Sequence, residues 1–194
     1  MSECFHIFFG YDDRMCAGTL TCIQSLVEHA SIPVSVTPLK LSTLSKYFKR
    51  PRSPMQLTDF TYTRFLAPSL CGFKGWCLFI DANDMMIRAD VAELYELIDD
   101  QYAVMCVHHP SFDCKEHSFM NKAVKSYPML NWSSVILFNN AKCTRLTVEY
   151  VESADYYDLH QFKWTAPGTV GELPSTWNHL VRYYPQSSEA KIVH

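Results

Sequence analysis

Short, nearly continuous apolar runs limit the folds open to this sequence. Phe5–Phe9, Trp76–Ile80, Tyr102–Val107 and Ser134–Phe138 each lack an extended polar face. Such runs are typical of strands that are buried on both sides of a parallel sheet. Between the first two runs, Cys16–His29 places apolar residues at helical spacing. The alternation predicts an α/β fold with a mostly parallel central sheet flanked by helices.

The other segments have weaker patterns. Pro33–Pro38 alternates like a second strand, whereas Thr61–Leu70 and Val91–Ile98 read as helices. Leu41–Asp59 is polar and carries Lys and Arg residues between prolines. We expect it to be a surface excursion, either a solvated loop or a phosphate-binding one. Tyr150–Leu180 reads as an irregular region that is rich in aromatic residues.

Composition excludes several classes of function. The 194 residues are 48% hydrophobic and 19% charged, which is typical of one folded domain. A net charge of -3 provides no basic field for nucleic acid. No apolar run reaches the roughly 18 to 20 residues of a spanning helix, and the first residues lack the pattern of a secretory signal. These observations predict a soluble, cytoplasmic protein without a membrane span.

The eight cysteines form no C-x-x-C pair. We expect free thiols, several of them buried as small hydrophobic side chains. The alternative is a structural zinc site, because zinc favours Cys and His ligands. The residues that could form it are Cys106, His108, His109, Cys114 and His117.

Ligands of open parallel sheets bind beyond the carboxyl ends of the strands. We therefore expect the site after Phe9, Ile80, Val107 and Phe138. Gly10–Arg14 follows the first run and contains no G-x-G-x-x-G pattern.

Three residues of this segment are binding candidates. Tyr11 offers a flat ring for stacking. Asp12 and Asp13 can accept hydrogen bonds from a base or ribose, or one of them can simply cap the following helix.

The segment Asp81-Ala82-Asn83-Asp84 follows the most apolar strand. Carboxylates crowded in this way repel one another, which raises a pKa or calls for a cation. Magnesium and manganese bind few carboxylates together with phosphate oxygens. Spacing alone leaves open two interpretations, a metal–diphosphate site and an acidic turn.

The residues around these acids resemble the acidic motif of GT-A glycosyltransferases, especially family-eight-like retaining enzymes. The resemblance extends over nearly the whole chain, in segments that are weak alone but fairly specific in their order. They are Phe79–Leu94, Tyr62–Pro68, Asn131–Asn139, Leu159–Phe162, Leu173–Asn178 and Lys191–His194.

The resemblance implies one GT-A catalytic domain over residues 1–194, the N-terminal part of a longer protein. It implies transfer of a sugar from a UDP-sugar to a hydroxyl of a glycan or glycoprotein, with Mn²⁺ or Mg²⁺. The implied metal ligands are Asp81, Asp84 and His194. The implied residues for the nucleotide and its sugar are Tyr11, Asp12, Arg64, Asp81, Asn131, Trp177 and Asn178.

The sequence departs from the family's Asp-x-Asp by one extra residue between the acids. Either Asn83 replaces the second Asp, or Asp81 and Asp84 act together across a bulged turn. We favour the second alternative, because Asp84 retains the charge that a metal ion needs.

The reaction's stereochemistry depends on other residues. A retaining enzyme needs a group on the face opposite the acceptor, and the resemblance places Gln161 there. An inverting enzyme needs a general base near the acceptor hydroxyl, for which Asp158, His160 and Glu172 are candidates. Family resemblance favours retention.

Two other functions stay open at this point. They are a sugar nucleotidyltransferase and a non-catalytic carbohydrate- or zinc-binding module. Within the GT-A enzymes, the chain also resembles the small glycosyltransferase domains that chloroviruses encode for capsid glycans. This implies a role in capsid glycosylation in the host cytoplasm.

Overall fold

The computed structural model describes residues 4–53, 56–111, 118–119, 122–123 and 127–194. The strands are β1 (Phe5–Tyr11), β2 (Val34–Lys40), β3 (Trp76–Ile80), β4 (Met86–Ile87), β5 (Val104–Cys106), β6 (Ser118–Phe119), β7 (Lys122–Ala123), β8 (Val135–Asn139), β9 (Val170–Glu172) and β10 (Ile192–Val193). The α-helices are α1 (Cys16–His29), α2 (Leu41–Leu44), α3 (Ala67–Leu70), α4 (Val91–Tyr95), α5 (Val148–Ser153) and α6 (Tyr156–His160). The predicted α/β class is confirmed.

A six-stranded sheet with the order β2-β1-β3-β8-β5-β9 forms the centre of the fold. The pairs β1–β2, β1–β3 and β5–β9 are parallel, whereas β8 runs antiparallel to both β3 and β5. Ile80 therefore lies opposite Val135, and Trp76 opposite Asn139. The beginning of β8, not its end, shares the edge where the other strands end. The expectation of a ligand site after Phe138 is wrong for this reason.

The two faces of the sheet bury different helices. Phe8, Phe79 and Phe138 share one face with residues of α3, α5 and α6. Leu78 and Leu137 point to the other face, against α1 and α4. This division follows from the period of two along each strand.

Two segments differ from their sequence predictions. The expected helix over Thr61–Leu70 is a 3-10 turn, Thr63–Leu66, continued by the single turn of α3. The region Tyr150–Leu180, expected to be irregular, contains most of α5 and all of α6 and β9. The side chains of Thr147 and Asp155 cap these two helices by accepting from backbone N–H groups.

The basic segment between β2 and the 3-10 turn is fastened to the body of the protein. The guanidinium of Arg50 donates to the carbonyls of Val151 and Ala154, each at 2.8 Å. Arg52 pairs with Asp59. Arg50 and Arg52 are therefore engaged in internal contacts, which argues against a phosphate-binding role for them.

Every cysteine in the described ranges is free, and Cys22, Cys77, Cys106 and Cys143 are buried. Two of the zinc candidates, Cys114 and His117, lie outside the described residues. Within the described ranges, no helix combines the length and apolar character needed to cross a bilayer.

Candidate functional site

A tight turn follows β3 at the carboxyl edge of the sheet. The N–H of Asp81 donates to the carbonyl of Ser134 at 2.8 Å, and the N–H of Asn83 donates to the carbonyl of Asp81 at 3.0 Å. Between them, Ala82 has a φ of 73° and is fully buried. A non-glycine residue in this region costs on the order of 1–3 kcal/mol, and such strain concentrates at functional sites. The extra residue between Asp81 and Asp84 is thus accommodated by a strained turn.

Two glycines allow neighbouring elements to approach this turn closely. A Cβ on Gly10, in β1, would lie 2.6 Å from the carbonyl oxygen of Asp81. A Cβ on Gly18, in α1, would lie 1.9 Å from the carbonyl oxygen of Asn83. Only glycine fits at these distances, so β1 and α1 fix the position of the turn.

Arg64 lies buried behind the turn, with an exposed fraction of 5%. Its Nη1 donates to Asp81 Oδ2 at 3.3 Å and to the carbonyl of Ser133 at 2.7 Å. Its Nε donates to the carbonyl of Phe60 at 3.3 Å. Arg64 is therefore an internal cation that holds Asp81, not a surface helix arginine.

Burial raises the pKa of Asp81, and the nearby charge of Asp84 raises it further. Arg64 and His194 act in the opposite direction. A cation bound at this turn, in addition to Arg64, would relieve the repulsion between Asp81 and Asp84.

His194 reaches the turn through an antiparallel pair. In β10 and β4, Ile192 lies opposite Ile87, and His194 Nε2 lies 3.7 Å from Asp84 Oδ1. His194 Nδ1 lies 2.8 Å from Asn178 Oδ1. An amide oxygen only accepts, so Nδ1 carries the proton and Nε2 keeps its lone pair on the side of Asp84.

The side chains of this turn match a hard divalent cation in chemistry. Carboxylate oxygen and imidazole nitrogen are accepted ligands of manganese, and carboxylates also suit magnesium. In the described ranges, however, no group of three Asp, Glu, His or Cys side chains has the geometry to coordinate a metal ion. Asp84 and His194 are adjacent, whereas Asp81 is engaged by Arg64. The ligand types fit such a cation, while the coordination of one ion by Asp81, Asp84 and His194 together stays a prediction.

Tyr11 is the last residue of β1, and Asp12 follows it at the same edge of the sheet. The Tyr11 ring is half-buried, with the ammonium of Lys40 5.3 Å from its centroid. Asp12 is 1% exposed and accepts from the N–H groups of Arg14 and Asp59 and from the Arg14 guanidinium. Burial alone would raise the pKa of Asp12, but these hydrogen bonds lower it. The geometry favours the capping alternative for Asp12 and leaves Tyr11 as the stacking candidate.

His160, a candidate general base, is buried in the core. The carbonyl of Thr61 accepts from its Nε2 at 3.2 Å, so Nδ1 accepts from the Ser133 hydroxyl at 2.7 Å. Its ring stacks on Tyr156 at 4.2 Å. Burial, together with the charge of Arg64, holds its pKa well below the usual value. Both nitrogens are occupied, so the geometry argues against His160 as a base and for a structural role.

The other two catalytic candidates lie on the same helical segment. Asp158 is on the surface and pairs with Lys163 at 3.0 Å, which also argues against a catalytic role. Gln161 follows the last residue of α6 and is half-buried. Its predicted role stays a prediction.

Two of the three remaining predicted binding residues, Asn178 and Asn131, form a support for His194. Asn178 is fully buried, and its Nδ2 donates to the carbonyl of Asn131 at 3.2 Å. Asn131 has a φ of 66°, and its carbonyl also accepts from Ser134. Trp177 is 1% exposed in the core and offers no open ring face to a sugar. Asn178 and Asn131 thus act on His194, whereas Trp177 packs.

A cluster of histidines borders this edge at the end of β5. The His108 ring stacks on Trp132 with centroids 3.9 Å apart, and its Nδ1 lies 4.0 Å from Glu172. His109 Nδ1 contacts the Tyr184 hydroxyl at 2.8 Å. Burial lowers the pKa of His109 to about 4, and the nearby imidazoles of His194 and His108 act in the same direction. Glu172 is the one inverting-base candidate that remains exposed at the carboxyl edge.

Sequence reasoning missed Gly18 and Ser133. A glycine inside a helical pattern is a signal for close packing, and it could have pointed to Gly18. Ser133 contributes its backbone carbonyl to Arg64, which no side-chain pattern reveals.

Comparison with solved structures identifies the fold. GlyE from Streptococcus pneumoniae TIGR4, a glycosyltransferase, superposes with a TM-score of 0.65 at 14% identity, over 100% of this chain and 54% of GlyE. The galactosyltransferase LgtC, in complex with donor and acceptor sugar analogs, gives 0.60 at 13% identity, over 98% and 86%. A glycosyltransferase involved in glycosylation of the PBCV-1 major capsid gives 0.56 at 11% identity, over 99% and 93%. The chain therefore has the GT-A glycosyltransferase fold, and it spans only about half of GlyE.

No protein-family model matches the sequence. Among known proteins, Protein CDI of Arabidopsis thaliana is 40% identical over 181 residues, covering 91% of this chain and 69% of Protein CDI. The chain belongs to the family of Protein CDI.

Proposed function

We propose that this chain is a glycosyltransferase that moves a sugar from a UDP-sugar to a hydroxyl of a glycan or glycoprotein. The observation that carries the proposal is the strained turn after β3, where Asp84 meets His194 and Asp81 meets a buried Arg64. In open α/β sheets this edge is the place of ligand binding. The names of the structures that share the fold support the same activity.

In this proposal Asp81, Asp84 and His194 hold Mn²⁺ or Mg²⁺. When bound, such an ion supplies positive charge that stabilises the departing nucleoside diphosphate. Asn178 fixes the His194 ring so that Nε2 faces the turn. Arg64 favours the ionised form of Asp81 and holds the carboxylate in place, and Tyr11 offers its ring to the uracil.

Retention of stereochemistry is the proposed outcome, with Gln161 on the face opposite the acceptor. The arrangement of the other candidates supports it. His160 has both nitrogens engaged and Asp158 is paired on the surface, so two of the three candidate inverting bases are occupied elsewhere. Proton NMR of the first product anomer distinguishes retention from inversion, and an inverted product would point to Glu172.

The predicted role in viral capsid glycosylation remains a prediction. The likeness to the PBCV-1 enzyme is one of fold at 11% identity, whereas the relative at 40% identity is a plant protein. That residues 1–194 form one catalytic domain of a longer protein is likewise a prediction.

The test is a panel of UDP-sugars with and without Mn²⁺, read by UDP release and by thermal shift, since binding to the native state raises its stability. We expect one UDP-sugar to raise the melting temperature with Mn²⁺ and to release UDP. Asp84→Asn should lower the Mn²⁺-dependent affinity for the UDP-sugar at least about tenfold and so reduce the shift, because a lost ligand costs metal affinity. The exposed acid Glu28, on α1, provides the matched control Glu28→Gln, which should behave like the wild type.

Other outcomes would contradict the proposal. Pyrophosphate release from UTP and a sugar phosphate would indicate a nucleotidyltransferase. Stoichiometric zinc without any sugar-nucleotide binding would indicate a non-catalytic module.

A further inference from the structure

Two cysteine thiols meet at the sheet edge opposite the proposed site. Cys71 follows the last residue of α3, and Cys77 is the second residue of β3. Between them, Gly72, Phe73 and Gly75 have φ values of 61°, 57° and 63°. These left-handed residues turn the chain back, so that Cys71 packs against the buried cluster that contains Cys77, and the two thiols interact electrostatically.

Asn140 holds this pair together from the end of β8. Its Oδ1 accepts from Cys77 Sγ at 3.1 Å, and its Nδ2 donates to the carbonyl of Lys74 at 2.8 Å. Its backbone N–H donates to the carbonyl of Gly75 at 3.0 Å. Asn140 is fully buried, so the loop that joins the two cysteines is fixed by the core.

The two thiols differ in access. Cys71 is partly exposed and lines an open cavity of about 470 Å³ together with His6, Phe8 and Leu70. Cys77 is fully buried behind it. A small solute can therefore reach Cys71, while Cys77 can react only with its neighbour.

The protonation of the two thiols agrees with this division. The hydrogen bond from Cys77 lowers the pKa of Cys71 in spite of its partial burial, and Asn140 adds to the effect. Burial raises the pKa of Cys77 well above its usual range, and it raises that of the isolated Cys22 to about 12. Since the thiolate is the nucleophile, Cys71 is the more reactive partner.

We propose that Cys71 and Cys77 are a peroxide-oxidisable pair that closes to a disulfide. The Cys71 thiolate attacks one oxygen of hydrogen peroxide, the O–O bond breaks, and Cys71 sulfenic acid and hydroxide form. The Cys77 sulfur then attacks the sulfenic sulfur, the S–O bond breaks, and water leaves with the Cys77 proton. Two thiols and one peroxide thus give one disulfide and two waters. The proposal is independent of the glycosyltransferase activity.

Trypsin makes the test direct, because Lys74 separates the two cysteines. Cleavage gives residues 65–74, which contain Cys71, and residues 75–88, which contain Cys77. The folded protein is treated with hydrogen peroxide, alkylated, digested without reductant and examined by mass spectrometry. We expect these two peptides to appear linked and to separate on reduction. Cys71 should become modified at least about tenfold faster than the buried Cys22, which fragmentation must distinguish from Cys16 in the same peptide.

Two variants and one chemical block complete the design. Cys71→Ser should abolish the linked peptides, whereas Cys77→Ser should leave Cys71 as a sulfenic acid that dimedone captures. If Cys77→Ser fails to fold, alkylating Cys71 in the folded wild type before peroxide provides the same comparison. Cys143→Ser, which removes a buried thiol in contact with the Ala103 carbonyl, is the matched control and should keep the link.

The proposal is overturned by any of three results. These are oxidation of Cys71 without linkage in the wild type, linkage of Cys71 to another cysteine, and oxidation no faster than that of Cys22.

Discussion

Gly18→Ala tests how α1 fixes the turn that carries Asp84. An added Cβ would lie 1.9 Å from the carbonyl oxygen of Asn83, whereas such contacts are not found below 3.0 Å. The turn would therefore have to move away from α1 by about 1.1 Å. This is costly, because the contacted atom is backbone and the region is close-packed. The neighbouring Ala82 is already at a strained φ, so the turn has little freedom to adjust.

Two opposing effects set the size of the change. Alanine in place of glycine inside a helix normally stabilises by about 1 kcal/mol. Overpacking a rigid contact costs about 1–3 kcal/mol. We expect a net loss of about 1 kcal/mol in the free energy of unfolding, which for a chain of this size lowers the melting temperature by about 2–4 °C.

The assay is urea unfolding together with binding of the UDP-sugar and Mn²⁺. Displacement of the turn by about 1 Å should weaken that binding at least about tenfold, because site geometry is sensitive to such shifts. Thr21→Ala is the matched control, because Thr21 is exposed on the same helix. It should leave binding unchanged. A Gly18→Ala protein that is about 1 kcal/mol more stable than the wild type, as helix propensity alone predicts, would refute the close-contact reasoning.

Three further predictions concern the edge of the sheet. Asn178→Ala removes the acceptor that orients His194, so Mn²⁺ affinity should fall about 10–100-fold by titration calorimetry, and unchanged affinity would exclude this role. Trp177→Phe should lower the free energy of unfolding by about 1–3 kcal/mol and leave the KM for the UDP-sugar unchanged, because the ring is buried. A raised KM with unchanged stability would instead favour sugar contact. Because the pKa of His109 is about 4 in the folded protein and near 6.5 when unfolded, the unfolded chain binds the extra proton first as pH falls. Stability should therefore be full above pH 6.5 and fall by about 2 kcal/mol towards pH 4.5, and urea unfolding of His109→Gln should show a shallower decline.

Sequence patterns predict an element well where a local property determines it. The strand Trp76–Ile80 and the helix Cys16–His29 have the predicted bounds, because a buried apolar run and helical spacing are local properties. The direction of β8 was not predictable in this way, since a fully buried strand has the same composition in either orientation. The aromatic region around Tyr150 conceals two short helices, whose local signals are the caps Thr147 and Asp155 and one acid in each first turn.

The candidate site was predictable to a different extent. Asp81 and Asp84 stand out because acids directly after an apolar strand cannot belong to the core. The functions of Asp12 and His160 were not decidable from sequence, since an internal ion pair and a buried imidazole depend on tertiary neighbours. The resemblance pointed to Asn178, but only the structure shows that it acts through His194.

The pairing of β10 with β4 has a consequence for folding. It joins Val193 to Met86, two residues more than a hundred positions apart in the chain. Contacts of such separation carry a high entropy cost and tend to form late. A chain whose central sheet has formed would therefore present Asp81 and Asp84 before it presents His194. The candidate metal site would then be complete only after β10 docks on β4. Metal affinity would therefore depend on this folding step as well as on the ligands themselves.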